Sequence, residues 1–292
     1  MLPHLCLGTV QFGQPYGITN HIGLVPEREV NRILLTASAS GIQFLDTAQA
    51  YGMSEEILGR CWPPGAPRRL ISKLPSGLPK DKWDDCFYQS LDLLQASKLD
   101  SFLLHSASDL LSDQGDDLLI WLESLRERNL VGRIGVSIYD TAELQKLPLE
   151  RLQIVQLPLS VYDQHFINDG TISTLHSLGI AIHVRSVFLQ GLVLQAPQYW
   201  PDHLSPAFKH HHTKWIDHIT ALGLSPLKAA LSYVTSCKYI EAVLVGVLSQ
   251  RELLEVIQVW SHLDCSSTYS FESWAWDISQ DLDPRLWPKR SC

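Results

Sequence analysis

A single-domain α/β fold, a closed (β/α)8 TIM barrel, is what this sequence predicts, and three observations predict it. Eight short β-branched or aliphatic runs alternate with helical stretches along the chain, and such alternation means parallel strands joined by crossover helices. The length of 292 residues suits a barrel of ~250 residues with a tail. No GxGxxG turn follows any strand, which is the mark an open doubly wound sheet would carry.

The elements follow in order. Leu5–Thr9 reads as the first strand. Pro26–Ser40 reads as a helix, with proline in its first turn, Leu34 and Leu35 on its apolar side and Gly41 just past its end. Strand Gln43–Asp46, helix Ser54–Arg60, strand Leu70–Lys73 and helix Asp81–Gln95 come next. Phe102–His105 is a strand, and Asp116–Asn129 a helix with acids in its first turn and Arg126 and Arg128 in its last. Strand Ile134–Ser137 precedes helix Thr141–Lys146, and strand Ile154–Leu157 precedes helix Thr171–Leu178, stopped by Gly179. Strand Ala181–Arg185 leads into a long irregular stretch, then helices Thr213–Leu222 and Pro226–Ser236, the second capped by Ser225. Strand Ala242–Val245 and helix Gln250–Ser261 close the series. The barrel domain is assigned to residues 1–264 and a C-terminal segment to 265–292.

Composition narrows the class. Hydrophobic residues make up 45% of the chain, enough for a large core, which excludes intrinsic disorder. Lys+Arg 23 against Asp+Glu 31 gives a net charge of −8. That leaves no basic surplus for nucleic-acid phosphates. No apolar run approaches the ~18 residues of a spanning helix, and Met1–Cys6 has no positive region of the signal-peptide kind. The six cysteines show no CxxC pair or zinc spacing and are expected to be reduced thiols. A cytoplasmic protein acting on a small molecule is the expectation, without nucleic acid, membrane or metal. Nothing in the pattern sets an oligomeric state.

Barrel active sites form where strands end at the C-terminal face. Asp46 ends the second strand and Tyr51 follows it; Lys73 ends the third strand and His105 the fourth. Singly, each has a plain structural reading, such as a Lys73–Asp46 ion pair bracing the rim. Together, neighbouring strand ends aim all four at one mouth. A tyrosine of reference pKa about 10 is a poor acid at neutral pH. A Lys73 ammonium beside Tyr51 is expected to favour the phenolate and lower that value. Asp46 would keep Lys73 charged, and His105 would hydrogen-bond a substrate oxygen or relay the proton. The set describes a proton donor for an oxygen whose carbon is gaining hydride.

Phe44 to Gly59, through Asp46-Thr47-Ala48, Tyr51-Gly52 and Ser54-Glu55-Glu56-Ile57-Leu58-Gly59, resembles the DTAxxYGxSExxLG pattern of the aldo-keto reductase superfamily. That family's strand-three lysine matches Lys73 in Ile71-Ser72-Lys73, and its strand-four histidine matches His105 in Leu103-Leu104-His105. The resemblance covers nearly the whole chain. It implies a catalytic tetrad of Asp46, Tyr51, Lys73 and His105, and a cofactor, NADP(H) in most members and NAD(H) in some, lying across the barrel mouth.

The resemblance also carries cofactor residues. Gly8, Thr9 and Val10 match the first-strand segment near nicotinamide, and Ser137 with Gln156 match the pair that holds the carboxamide. Ile138 stands where many members have asparagine. Val184 to Gly191 resembles the turn after strand seven. It puts Arg185 at the nicotinamide-stacking position and Ser186, Phe188 and Gln190 along the pyrophosphate. Leu244 to Glu255 resembles the adenosine-phosphate site, with Glu255 at the adenine acid. The usual 2′-phosphate cations read Gly246 and Glu252, leaving Ser249, Arg251 and the helix N-terminus to serve.

The remaining features are weaker. Phe12 and Tyr16 lie in the first βα loop, as substrate contacts or as loop packing. Lys209-His210-His211-His212 reads as a solvated or substrate-side loop. The tail aromatics Tyr269, Phe271, Trp274, Trp276 and Trp287 read first as packing on the outer barrel and second as substrate-pocket walls. The expected activity is NAD(P)H-dependent reduction of an aldehyde, ketone or aldose, or its reverse. A nucleotide-binding sensor or scaffold barrel, and a lyase forming a Schiff base on Lys73, are the rivals.

Overall fold

The computed structural model describes residues 2–263 and 269–288. Eight parallel strands close in sequence order, β1-β2-β3-β4-β5-β6-β7-β8, with β1 pairing both β2 and β8. They are β1 His4–Gly8, β2 Phe44–Asp46, β3 Arg69–Leu74, β4 Leu99–Leu104, β5 Val131–Ser137, β6 Ile154–Pro158, β7 Ala181–Arg185 and β8 Ala242–Gly246. The helices are α1 Val10–Gly13, α2 Glu27–Ala39, α3 Ser54–Cys61, α4 Trp83–Leu93, α5 Gly115–Glu127, α6 Thr141–Leu144, α7 His165–Asn168 and α8 Thr171–Ser177. They continue as α9 Pro206–Ala221, α10 Pro226–Ser236, α11 Gln250–Ser261 and α12 Ser279–Leu282.

Two apolar layers hold this together. Cys6, Phe44, Ile71, Leu103, Ile154, Ala242 and Leu244 fill the barrel interior. A larger layer lies between strands and helices, where α2 contributes Val30, Ile33, Leu34 and Ala37 at helical spacing. Leu35, predicted on that apolar side, is 57% exposed. It stands about 100° round the helix from its neighbour, so it turns out to solvent.

β4 and β5 begin three residues before the expected Phe102 and Ile134. The reason is electrostatic. Asp100 and Arg133 look like loop residues in the sequence, but they pair across the barrel floor. Arg69 Nε lies 2.7 Å from Asp100 Oδ1, Arg133 Nη2 2.8 Å from Asp100 Oδ2, and Arg133 Nη1 2.7 Å from Glu241 Oε1. His183 Nε2 completes the group at 2.9 Å from the same Glu241 oxygen. Above it the Arg69 guanidinium lies over the Phe44 ring at 4.2 Å, and His4 stacks on that ring at 4.7 Å.

The histidine run is not a loop. Ser205 accepts a hydrogen bond from Phe208 N and Pro206 takes the first helical position, so α9 starts seven residues before Thr213. His212 is buried in it, 2.5 Å from the Tyr162 hydroxyl and 2.8 Å from the Gln195 carbonyl. Among the described residues no group of His, Cys, Asp and Glu is arranged to hold a metal ion. None of the described helices is long and apolar enough to cross a membrane. Of the six cysteines, Cys6, Cys61, Cys86 and Cys237 are free thiols, and Cys265 and Cys292 lie outside the described residues.

Candidate active site

A cavity of about 520 Å³ opens at the C-terminal ends of the strands. Asp46, Tyr51, Lys73 and His105 all line it. Asp46 sits at the end of β2 and Lys73 in β3, respectively 3% and 1% exposed. Lys73 Nζ donates to Asp46 Oδ1 at 2.7 Å and to the Thr47 carbonyl at 2.9 Å. Gln156 Nε2 donates to the other Asp46 oxygen at 2.8 Å. Both carboxylate oxygens are therefore engaged. His105 lies one residue beyond β4, its backbone N–H extending the ladder to the Leu74 carbonyl at 3.1 Å.

Tyr51 is placed by backbone contact. Its N–H closes a turn on the Ala48 carbonyl at 2.9 Å, and its carbonyl accepts from Ser54 N at 3.1 Å. Gly52 takes φ +57, and a Cβ on Gly13 would stand 1.7 Å from the Tyr51 carbonyl oxygen. Gly13 at the end of α1 and Gly52 in the loop after β2 thus let the backbones touch. Beneath them Ser54 Oγ donates to the Thr9 carbonyl at 2.8 Å, and Thr9 Oγ1 donates to the Asp46 carbonyl at 3.0 Å.

The electrostatics differ from the expectation at one point. Burial, followed by the Asp46 charge, pushes the Tyr51 phenol above its ordinary value, with Arg185 opposing. The Lys73 ammonium lies 5.2 Å from the Tyr51 ring centroid, and its hydrogen bonds run to Asp46 and Thr47. Desolvation of a phenolate outweighs the cation, so Tyr51 is a protonated phenol at neutral pH. Burial, followed by the Lys73 charge, pushes His105 down to about 4, so its imidazole is neutral. The Tyr51 and His105 rings meet edge to face at 5.5 Å.

The remaining site candidates divide. Gly8, Thr9, Val10, Ser137, Gln156, Arg185, Ser186, Phe188, Gln190, Gly246, Arg251, Glu255 and Tyr16 line the same cavity as the four. Phe12 does not; it points into the core from α1, fully buried. Of the two readings the sequence allows for Phe12, substrate contact and packing, the structure favours packing, on a short helix and not a loop. Ser249 does not line the cavity either, and serves as the N-cap of α11, accepting from Glu252 N at 3.2 Å.

Tyr139, Gln11 and Gln195 also line the cavity, beyond the residues to which the sequence points. Gln11 directly follows the quoted Gly8-Thr9-Val10 segment, which was the available signal. The Tyr139 ring is held between two guanidinium groups, Arg185 at 4.0 Å and Arg285 at 3.7 Å. A second cavity of about 400 Å³ shares Tyr139, Arg185 and Ser186, and Trp276 and Arg285 of the C-terminal segment line it. Trp276 also stacks on Phe208 of α9 at 5.3 Å, so this tail aromatic both packs on the barrel and faces a cavity.

The turn after β7 is strained. Ser186, Leu189 and Gln190 hold φ of 61, 46 and 54 without being glycine. Such left-handed residues cost about 1–3 kcal/mol each. Thr19 Oγ1, from the loop between α1 and α2, donates to the Gln190 carbonyl at 2.9 Å and ties the turn across the mouth.

The Aldo/keto reductase family model matches residues 4–274 of this barrel. The chain belongs to the aldo-keto reductase family. Solved structures of the same fold include the holo form of an aldo-keto reductase from Bacillus halodurans, 17% identical, with TM-score 0.73 over 93% of this chain and 95% of that one. An aldo-keto reductase from Klebsiella pneumoniae in complex with NADPH is 19% identical, with TM-score 0.69 over 91% of this chain and 88% of that one. A Klebsiella pneumoniae aldo/keto reductase with NADP and acetate is 18% identical, with TM-score 0.70 over 100% and 94%. This aldo-keto reductase is an NAD(P)-dependent oxidoreductase of the carbonyl-reducing kind.

Proposed function

We propose that the chain reduces an aldehyde, ketone or aldose carbonyl to the alcohol, or runs the reverse, with Tyr51 as the proton donor. The observation that carries this is the meeting of Asp46, Tyr51, Lys73 and His105 in one cavity. The cofactor, when bound, supplies hydride to the carbonyl carbon; NADP(H) is favoured by the family and NAD(H) is possible. Two relatives of the same fold were solved with NADPH or NADP.

The residues present suit a dinucleotide. The cavity lining runs from His105 and Lys73 to Arg251 and Glu255, spanning the mouth. Gln11 Oε1 and Gln195 Oε1 are buried acceptors with no partner, and both side chains line the cavity. A Cβ on Gly246 would stand 2.4 Å from Gln11 Nε2, so glycine keeps this wall open. Ser137 and Gln156 would hold the carboxamide, Arg185 the ring face, and Ser186, Phe188 and Gln190 the pyrophosphate.

Tyr51 then gives its proton to the carbonyl oxygen as the carbon gains hydride, and the neutral His105 orients that oxygen by donating a hydrogen bond. Lys73 steadies the phenolate left behind and is itself held by Asp46. Engagement of Lys73 by Asp46 and Thr47 supports this positioning role over a Schiff base, which needs a free neutral amine. The test is Tyr51→Phe with a panel of aldehydes and sugars. Turnover is expected to fall ~10²–10⁴-fold, the usual scale of acid–base catalysis, while nicotinamide fluorescence still reports cofactor binding. Near wild-type turnover would remove Tyr51 from the role.

A further inference from the structure

The N-terminus of α11 closes the far end of the cavity, where Gly246, Leu248, Arg251, Glu252 and Glu255 form the lining. A helix N-terminus with free N–H groups receives phosphate readily. Here three of the N–H groups at this end already have partners within the chain, two of them carboxylates. Leu248 N donates to Glu252 Oε2 at 2.8 Å, and Gln250 N donates to Glu29 Oε1 of α2 at 2.8 Å. Glu252 N is capped by Ser249 Oγ at 3.2 Å. The Gln250 N–H, with Arg32 and Arg28 nearby, holds the Glu29 carboxyl below its ordinary value, so it is anionic at neutral pH.

The local cations are also engaged. Arg251 Nε lies 3.4 Å from Glu255 Oε1, and Arg32 Nη1 lies 3.0 Å from Glu29 Oε2. Among the described residues, Arg251 is the one arginine on the cavity wall at this end, and its side chain is 86% exposed, where solvent screens its charge.

We propose that this end of the site selects an adenosine ribose with a free 2′-hydroxyl, so that NADH binds at least as tightly as NADPH. The inference rests on the cofactor reading above. A hydroxyl can donate to a carboxylate such as Glu252, whereas a 2′-phosphate dianion would meet Glu252 and Glu255 and find the N–H groups of Leu248, Gln250 and Glu252 engaged. Glu252 and Glu29 thereby act as specificity-determining residues by refusing the phosphate.

The experiment titrates NADH and NADPH into the protein by nicotinamide fluorescence, with 5′-ADP and 2′,5′-ADP as competitors that carry the adenosine half alone. Wild-type protein is expected to bind NADH as tightly as NADPH or more so, and 5′-ADP as tightly as 2′,5′-ADP or more so. The isosteric variants Glu252→Gln and Glu29→Gln/Glu252→Gln keep an acceptor for each N–H and lose the charge. They are expected to shift the NADPH:NADH affinity ratio about tenfold towards NADPH, equivalent to ~1.4 kcal/mol. A wild-type preference for NADPH, or a ratio unmoved in both variants, overturns the proposal. Binding of neither nucleotide overturns the cofactor reading itself, and the proposal with it.

Discussion

Lys73 Nζ lies 2.7 Å from Asp46 Oδ1 in the cavity lining, with both side chains buried. Removing one member of such a pair leaves the other charge uncompensated, at a cost of roughly 3–5 kcal/mol. Lys73→Met is therefore expected to lower unfolding free energy in urea by that amount and to abolish turnover. Lys73→Met combined with Asp46→Leu is expected to regain part of the stability and none of the activity, because the double change leaves no buried charge. A double variant no more stable than Lys73→Met alone would show that the pair does not set the stability of the rim.

Gly13 and Gly52 make a second, steric prediction. A Cβ on Gly13 would stand 1.7 Å from the Tyr51 carbonyl oxygen and 2.5 Å from Ser54 N. Both obstacles are backbone, so the loop carrying Tyr51 must move. Displacement of a catalytic group by about 1 Å can cost ~10² in rate. Gly13→Ala is expected to lose about that factor in kcat. Its cofactor affinity is expected to stay near wild type, since Gly13 does not line the cavity. Unchanged kcat would mean that the Tyr51 loop is not held by this contact.

The barrel, and the meeting of Asp46, Tyr51, Lys73 and His105 in one cavity, were legible because each rests on residue type and strand order. The DTAxxYGxSExxLG segment fixes Asp46 and Tyr51, and strand ends fix Lys73 and His105. What escaped depends on pairing across long sequence separations. Glu29 and Gln250 are 221 residues apart, so no local pattern shows that the first N–H of α11 is taken by a carboxylate. Asp100 and Arg133 look like loop charges until the barrel closes and sets them against each other. Phe12 stays open between substrate contact and packing in the sequence, because a four-residue helix leaves no periodicity to read. The upward shift of Tyr51 has the same origin, since burial is a property of the assembled site.

Acid lability should come in two stages. Burial pushes His212 down to about 4, against an unfolded value near 6.5, so the unfolded chain binds the extra proton first. Stability is then complete above about pH 6.5 and falls as pH drops towards about 4, by roughly 3 kcal/mol for this group. His105, also near 4, acts in the same direction. Burial alone would raise Glu241, but its hydrogen bonds from His183 and Arg133 outweigh that and hold it at about 2. Its contribution is present above its unfolded value and is lost as pH falls towards about 2. Urea titrations from pH 7 to 3 should show the first loss flattened in His212→Gln and the second in Glu241→Gln. A wild-type curve flat between pH 6.5 and 4 would contradict the burial of His212 as a neutral imidazole.

Arg185 gives the last prediction, because its guanidinium is fixed from several sides. Nη2 donates to the Ile138 carbonyl at 2.9 Å and Nε to Ser137 Oγ at 3.3 Å, while the plane lies over the Tyr139 ring at 4.0 Å. A lysine has one compact ammonium and cannot reproduce the fork and the stacked plane together. Arg185→Lys is therefore expected to weaken cofactor binding by about tenfold or more, roughly 1.4 kcal/mol. Tyr139→Leu removes the ring and leaves the hydrogen bonds to Ile138 and Ser137. The loss should be smaller, ~0.5–1 kcal/mol for a partly exposed cation–π contact. Arg285 lies over the Tyr139 ring at 3.7 Å, is tied by Asp283 at 2.7 Å and does not line the first cavity, so Arg285→Ala should shift the affinity least. Nicotinamide fluorescence with the three variants ranks them. If Arg185→Lys binds like wild type, the guanidinium plane does not face the nicotinamide. The stacking position would then have to be reassigned to Tyr139, which the same titration would show as the larger loss.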